Sequence, residues 1–172
     1  ASRTFSTVLN LMKQYPEYRY MHSSPQLYQF LKEDYPEIYE QVKEKIAEGS
    51  WEITGGMWVE PDTNIPSGES LVRQFISGQR FIREEFGKET HLVWLPDVFG
   101  YSAAFPQIMK KSGMKYFMTT KISWNQYNHF PYDTFMWKGI DGSEIFTHFI
   151  TTPEDGSWFY TYNGHMGPEE VT

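Results

Sequence analysis

Trp94-Leu95-Pro96-Asp97-Val98-Phe99-Gly100-Tyr101-Ser102 follows an apolar run, His91-Leu92-Val93, that reads as a buried strand. Pro96 has no N–H to give to a sheet ladder, so it ends that strand. Asp97 is thereby held at the mouth of a strand among Trp94, Phe99 and Tyr101, and Gly100 lets the chain turn into a helix at Ser102 or Ala103. In α/β proteins chemistry gathers just past the C-terminal ends of strands. A lone aspartate there would more simply cap a turn or a helix. The aromatic company of this one points instead to a sugar-binding site.

The flanking sequence supplies the rest of an α/β rhythm. Phe5, Val8, Leu9 and Met12 recur at helical spacing until Pro16, and Tyr18 to His22 reads as a short strand. Ser24 and Pro25 have the character of N-cap and first residue of a helix running to about Leu31. Pro36 opens another helix, with Ile38, Val42 and Ile46 on one face and Gly49 at its end. Trp51 to Thr54 is a second strand, and Gly55-Gly56 begins a loop that runs to Gly68. Ser67 caps a long helix that buries Leu71, Phe75, Ile82 and Phe86 and stops at Gly87. A helix from Ala103 to Lys111 ends at Gly113 and leads to a strand from Lys115 to Met118.

This alternation predicts parallel strands near 18–22, 51–54, 91–95 and 115–118, with His91 and His148 lying in strands. Two alternating runs, Asp133 to Lys138 and Ser143 to Phe149, flank Gly139-Ile140-Asp141-Gly142 and predict a hairpin near the C-terminal end. The loops after strands two, three and four carry Trp58, Glu60, Asp62, Asp97, Phe99, Lys121 and Trp124. Loops leaving one edge of a parallel sheet converge, so these residues are expected around one polar, aromatic-walled cleft.

The bulk properties narrow the chemistry. A net charge of −7 argues against nucleic acid or an anionic membrane as partner. No run of 18 apolar residues is present to span a bilayer. With no cysteine, thiolate zinc sites and a cysteine nucleophile are excluded. Both ends read as cuts within a longer protein, since the chain starts directly in an amphipathic pattern and stops without a capping signal.

Acids beside aromatics and one lysine, without a phosphate-binding glycine motif, favour carbohydrate over nucleotide chemistry. A retaining glycosidase needs a carboxylate nucleophile and a second carboxyl group about 5–5.5 Å away. Asp97 suits the first role by position; Glu60, Asp62 and Asp155 each suit the second, and spacing does not choose among them. The five histidines, at 22, 91, 129, 148 and 165, form no H-x-H, H-x-D or H-x-x-x-H pair, so a complete metal site within the chain is not expected.

The Trp94–Ser102 stretch resembles glycoside hydrolase family 38, the α-mannosidases, and the resemblance extends along the whole chain. Gly55-Gly56-Met57-Trp58-Val59-Glu60-Pro61-Asp62, Pro66-Ser67-Gly68-Glu69-Ser70 and Thr119-Thr120-Lys121-Ile122-Ser123-Trp124-Asn125 are similar to the bacterial and cytosolic branch of that family. The resemblance implies a zinc-dependent retaining exo-α-mannosidase acting on mannose-containing oligosaccharides. It implies a fold that is a fragment of a seven-stranded β/α barrel-like domain, with mainly parallel strands and a C-terminal hairpin. Residues 1–172 would then be part of a single α/β catalytic domain, truncated at both ends.

By that resemblance Asp97 is both the nucleophile and one zinc ligand, Phe99 packs on the bound mannose, and Lys121 stands where secretory relatives carry an arginine near the substrate. Trp58, Glu60 and Asp62 are further substrate-binding candidates. Tyr162-Asn163 resembles the family's Tyr-Asp substrate pair, with Asn163 a departure from it. A His-x-Asp zinc motif would precede Ala1, and another zinc-binding histidine and the acid/base aspartate would follow Thr172. The chain alone is therefore expected to be inactive. A cytoplasmic location is expected, and oligomerisation is left open. A metal-dependent deacetylase-like barrel shares the strand-end acid but needs a histidine pair that this sequence lacks. A non-catalytic sugar-binding module suits the loop aromatics but not the helix–strand alternation.

Overall fold

The computed structural model describes residues 1–123, 127 and 130–150. Five helices and six strands alternate through them: α1 (Ser2–Gln14), β1 (Tyr20–His22), α2 (Pro25–Asp34), α3 (Pro36–Glu48), β2 (Trp51–Ile53), α4 (Gly68–Phe86), β3 (Leu92–Trp94), α5 (Phe105–Lys111), β4 (Tyr116–Thr119), β5 (Thr134–Lys138) and β6 (Glu144–Phe149). A single 3₁₀ turn, Lys121–Ser123, follows β4. The result is an α/β domain with a mostly parallel sheet.

The four expected strands are present and pair in parallel, β1 with β2 and β3 with β4. They do not form one ladder. β1 and β2 make a two-stranded sheet, and the second sheet has the order β3-β4-β6-β5. The hairpin is present, and it docks through β6, which runs parallel to β4 while pairing antiparallel with β5. Loops leaving the two sheets meet at a parallel bridge between Thr63 and Tyr101.

Three local expectations need correction. Ser24 stands before α2, but its side chain makes no capping bond and its backbone is left-handed, with φ 65°. His91 lies one residue ahead of β3, exposed, with Nδ1 3.1 Å from the carbonyl oxygen of Gly113. The helix expected from Ala103 begins at Phe105, because residues 103 and 104 are spent on the turn out of the Asp97 loop. Ser67, by contrast, caps α4 as expected, its Oγ accepting the Ser70 N–H at 3.2 Å.

Two hydrophobic cores lie under these elements, and α4 is common to both. In the first core, Phe5, Leu9, Tyr28, Leu31, Tyr39, Val42, Ile46 and Trp51 meet Phe81 and Ile82 of α4. The Trp51 indole N–H donates to the Tyr28 hydroxyl at 2.8 Å, so neither large polar ring is buried unsatisfied. In the second core, Leu71 and Phe75 of α4 meet Val93, Leu95, Phe105, Met109, Phe117 and Ile145.

Between the two faces α4 runs against the backbone of the 56–58 loop. The Gln74 carbonyl accepts the Trp58 N–H at 3.0 Å, and the Gln74 side chain accepts that of Val59 at 3.0 Å. Gly78 makes this approach physically possible. A Cβ there would stand 2.5 Å from the Gly56 carbonyl oxygen and 2.9 Å from the Trp58 nitrogen.

Gly78→Ala would add a better helix former, worth about 1 kcal/mol in an exposed helix. Here it must push two backbones apart, so stability should fall by about 1–3 kcal/mol in denaturant unfolding. Ser77→Ala, at an exposed neighbouring position, should stay within about 0.5 kcal/mol of wild type. A Gly78→Ala protein as stable as wild type would contradict the packing account.

A second expectation comes from the end of β1. His22 lies among the rings of Phe5, Tyr20 and Tyr28, and its Nε2 is buried without a hydrogen-bond partner among the described residues. Burial holds its pKa down at about 4 instead of 6.5. The unfolded chain therefore binds this proton more readily, and stability is lost as pH falls from about 6.5 to about 4. Across that window the wild-type unfolding midpoint should drop more steeply than that of His22→Gln. Parallel curves would show that His22 is not kept neutral by the fold.

Candidate active site

The loop after β3 is fixed at both ends before any ligand is considered. The Tyr101 hydroxyl donates to the Leu95 carbonyl at 2.8 Å, closing the loop that carries Asp97. A phenol has one proton to give, so the Thr119 hydroxyl, 2.6 Å away at the end of β4, must donate to it. Thr63 Oγ1 donates to the Gly100 carbonyl at 2.7 Å from the loop after β2. The Tyr101 ring itself turns inward onto Phe105, Phe117 and Trp137. It is thus an anchor for the loop rather than a wall around Asp97.

This frame leaves the Asp97 side chain 58% exposed, immediately beyond the C-terminal end of β3. Beside it stands Lys121, whose side chain is 5% exposed, with Nζ 3.3 Å from Asp97 Oδ1. A buried ammonium is tolerable only with an anion to compensate it, and Asp97 is that anion. The same Nζ lies 5.4 Å over the ring of Phe99, which is 71% exposed. Asp97, Lys121 and Phe99 therefore lie together, on loops after adjacent strands.

Glu60 is drawn toward the same edge. It is half-buried, and the Ser23 hydroxyl donates to its Oε1 at 3.1 Å. Burial raises its pKa above the ordinary 4.5; the Ser23 hydrogen bond opposes that rise, and the negative charge of Asp97 adds to it. The Tyr101 phenol is likewise raised, chiefly by burial, and feels the charges of both Glu60 and Asp97. The two carboxylates thus share one electrostatic neighbourhood.

Trp58 and Asp62 make contacts of their own, and four more expected residues cannot be placed. The Trp58 ring is half-buried against Phe81 of α4, on the edge of the first core. Asp62 is exposed and organises its own loop, its Oδ1 accepting the N–H groups of Ile65 and Asn64, which hold its pKa below the ordinary value. Trp124, Asp155, Tyr162 and Asn163 lie outside the described residues. A groove of about 750 Å³ bounded by Ile76, Gln79, His91, Lys111 and Gly113 opens at the opposite end of β3 and contains none of the expected site residues.

Sequence reasoning missed Ser23 and Tyr101 as parts of the site's framework. Tyr101 was visible only as one more aromatic near the acid. Ser23 carried no signal, because its partner Glu60 lies 37 residues away. Among the described residues no three of His, Cys, Asp and Glu converge as metal ligands, and none of the helices is long and apolar enough to cross a membrane.

Comparison with known proteins gives the arrangement its family. The family model described as glycosyl hydrolases family 38 N-terminal domain matches residues 1–172. Alpha-mannosidase G of Dictyostelium discoideum is 49% identical over 99% of this chain, which spans 15% of that protein. Alpha-mannosidase 2C1 of Homo sapiens is 47% identical over 86% of the chain, which spans 14% of its length. Among solved structures, an alpha-mannosidase from Enterococcus faecalis V583 superimposes with a TM-score of 0.69 at 23% identity, covering 84% of this chain and 17% of that one. This chain belongs to glycosyl hydrolase family 38 and corresponds to part of its N-terminal domain.

Proposed function

We propose that the chain is the central part of the catalytic domain of a retaining exo-α-mannosidase, cut at both ends, with its strands contributing to a seven-stranded barrel in the longer protein. The observation that carries this reading is the Asp97 side chain, open to solvent just past β3 and braced by the buried ammonium of Lys121 at 3.3 Å. The family match over the full 172 residues favours it over a deacetylase-like barrel or a sugar-binding module.

In this reading an Asp97 oxygen attacks the anomeric carbon of a terminal α-mannosyl residue as the bond to the leaving sugar breaks. A carboxylic acid, which by family resemblance lies beyond Thr172, gives its proton to the departing oxygen. Water then attacks the same carbon, giving its proton back to that acid, Asp97 leaves, and two inversions give net retention. Lys121 keeps the attacking carboxylate aimed, and the exposed Phe99 ring offers an apolar face to the sugar. Glu60 accepts a substrate hydroxyl. Trp58, Asp62, Tyr162 and Asn163 complete the proposed binding set, with Trp58 and Asp62 acting through the loop they stabilise.

The described residues do not make a zinc site by themselves, since Asp97 has an ammonium beside it and no converging set of ligands. Zinc belongs to the proposal only as an ion of the longer protein, to which Asp97 would give one of its ligands. The substrate is a mannose-containing oligosaccharide. A cytoplasmic location follows from the resemblance to the cytosolic branch and suits the absence of cysteine.

In the full-length protein, Asp97→Asn should lower kcat/KM on an aryl α-mannoside by at least about 10³-fold, since an amide is a poor nucleophile. The isolated 172-residue chain should bind zinc weakly, one carboxylate being far short of a tetrahedral set. It should also release no aryl alcohol. Near wild-type turnover by Asp97→Asn, or turnover by the isolated chain, would remove Asp97 or the missing acid from the mechanism.

A further inference from the structure

The first strand ends at a serine to which the mannosidase reading gives no role. Ser23 is buried, at 8% exposure, and its hydroxyl points across the gap between two loops to Oε1 of Glu60. Ser24, next in the chain, is left-handed at φ 65° and is the one non-glycine residue with positive φ among those described. Such a conformation costs about 1–3 kcal/mol and persists where surrounding structure over-determines it. Opposite, Gly55 approaches so closely that a Cβ on it would stand 2.7 Å from the Ser23 Cβ. A strained backbone and a close glycine contact together hold one serine hydroxyl in place.

The carboxylate it holds is equally unusual. Glu60 is half-buried, and among the described residues it has no basic side chain paired to it and Ser23 as its one hydrogen-bond donor. A half-buried carboxylate with one donor is costly for stability alone. Among the described residues Oε2 has no donor of its own, which leaves it able to accept one. A sugar ring, with several O–H donors, is the matching ligand.

We infer that Ser23 is a positioning residue for substrate recognition: its hydroxyl fixes the Glu60 carboxylate so that the second oxygen accepts a hydroxyl of the glycan. This rests on the mannosidase reading, in which Asp97 does the chemistry and Glu60 binds. Ser23 touches no reacting atom. Its contribution is made in the ground state, by removing the alternative orientations of Glu60 before the sugar arrives.

The test is a double-mutant cycle in the full-length protein, with Ser23→Ala, Glu60→Gln and the two combined, assayed on an aryl α-mannoside. Ser23→Ala keeps the Cβ that packs on Gly55, so the thermal midpoint should stay near that of wild type. KM should rise about tenfold with kcat within about threefold, the size expected for a hydrogen bond to a charged group. The double mutant should match Glu60→Gln within about twofold, because Ser23 acts only through that carboxylate. Additive losses, an unchanged KM in Ser23→Ala, or a fall in kcat that tracks a lowered thermal midpoint would each overturn the inference while leaving the mannosidase reading intact. A wild-type protein inactive on α-mannosides would defeat that reading, and this inference with it.

Discussion

The structure depends on one helix having two buried faces. The β1–β2 sheet and the β3–β4–β6–β5 sheet are not joined by a continuous ladder. α4 couples them, with Phe81 and Ile82 in one core and Leu71 and Phe75 in the other. Its nineteen residues span about 28 Å at 1.5 Å per residue, enough to reach both. Because Gly78 lets the 56–58 backbone lie directly on the helix, the loop carrying Glu60 is referenced to the same rigid rod. Outside the cores, Glu85 accepts from Lys32 at 2.6 Å and Tyr39 at 2.7 Å, tying the far end of α4 to α2 and α3.

On that frame the site is built from charge compensation rather than from a deep cavity. Lys121 is buried and Asp97 is not, so the pair presents an aimed carboxylate to solvent with its counter-charge behind it. Glu60 is a different case, a half-buried carboxylate given a hydroxyl instead of a cation among the described residues. Two acids in one neighbourhood with different partners can take different roles, one reacting and one binding. Tyr101 fixes the Asp97 side of this pair by pinning its loop to Leu95 and Thr119 while its ring anchors in the second core.

The order of elements was legible in the sequence because glycine and proline punctuate it. Pro25, Pro36, Gly49 and Gly87 stand at helix ends, and the Asp97 loop follows its strand as the Leu95-Pro96 step requires. What could not be read were consequences of long-range packing. The parallel pairing of β6 with β4 depends on which side the hairpin docks, and local alternation carries no information on that. The contact of the Trp58 ring with Phe81 depends on how α4 packs, which the local sequence around Trp58 does not carry. Asp62 followed the simpler rule for loop aspartates and hydrogen-bonds its own turn. Asp97, Lys121 and Phe99 were legible together because each sits one short loop past a strand whose register fixes where that loop begins.

The central claim is that the carboxylate of Asp97 forms the bond to the sugar. The direct measurement is to trap that bond in the full-length protein with a fluorinated α-mannosyl fluoride that glycosylates fast and hydrolyses slowly. The trapped protein is then digested and the labelled peptide mapped by mass spectrometry. The account predicts one equivalent of added glycosyl mass on the peptide containing Trp94 to Ser102, localised by fragmentation to Asp97. A label on Glu60 or on any other residue, or steady turnover with no covalent species, would contradict it.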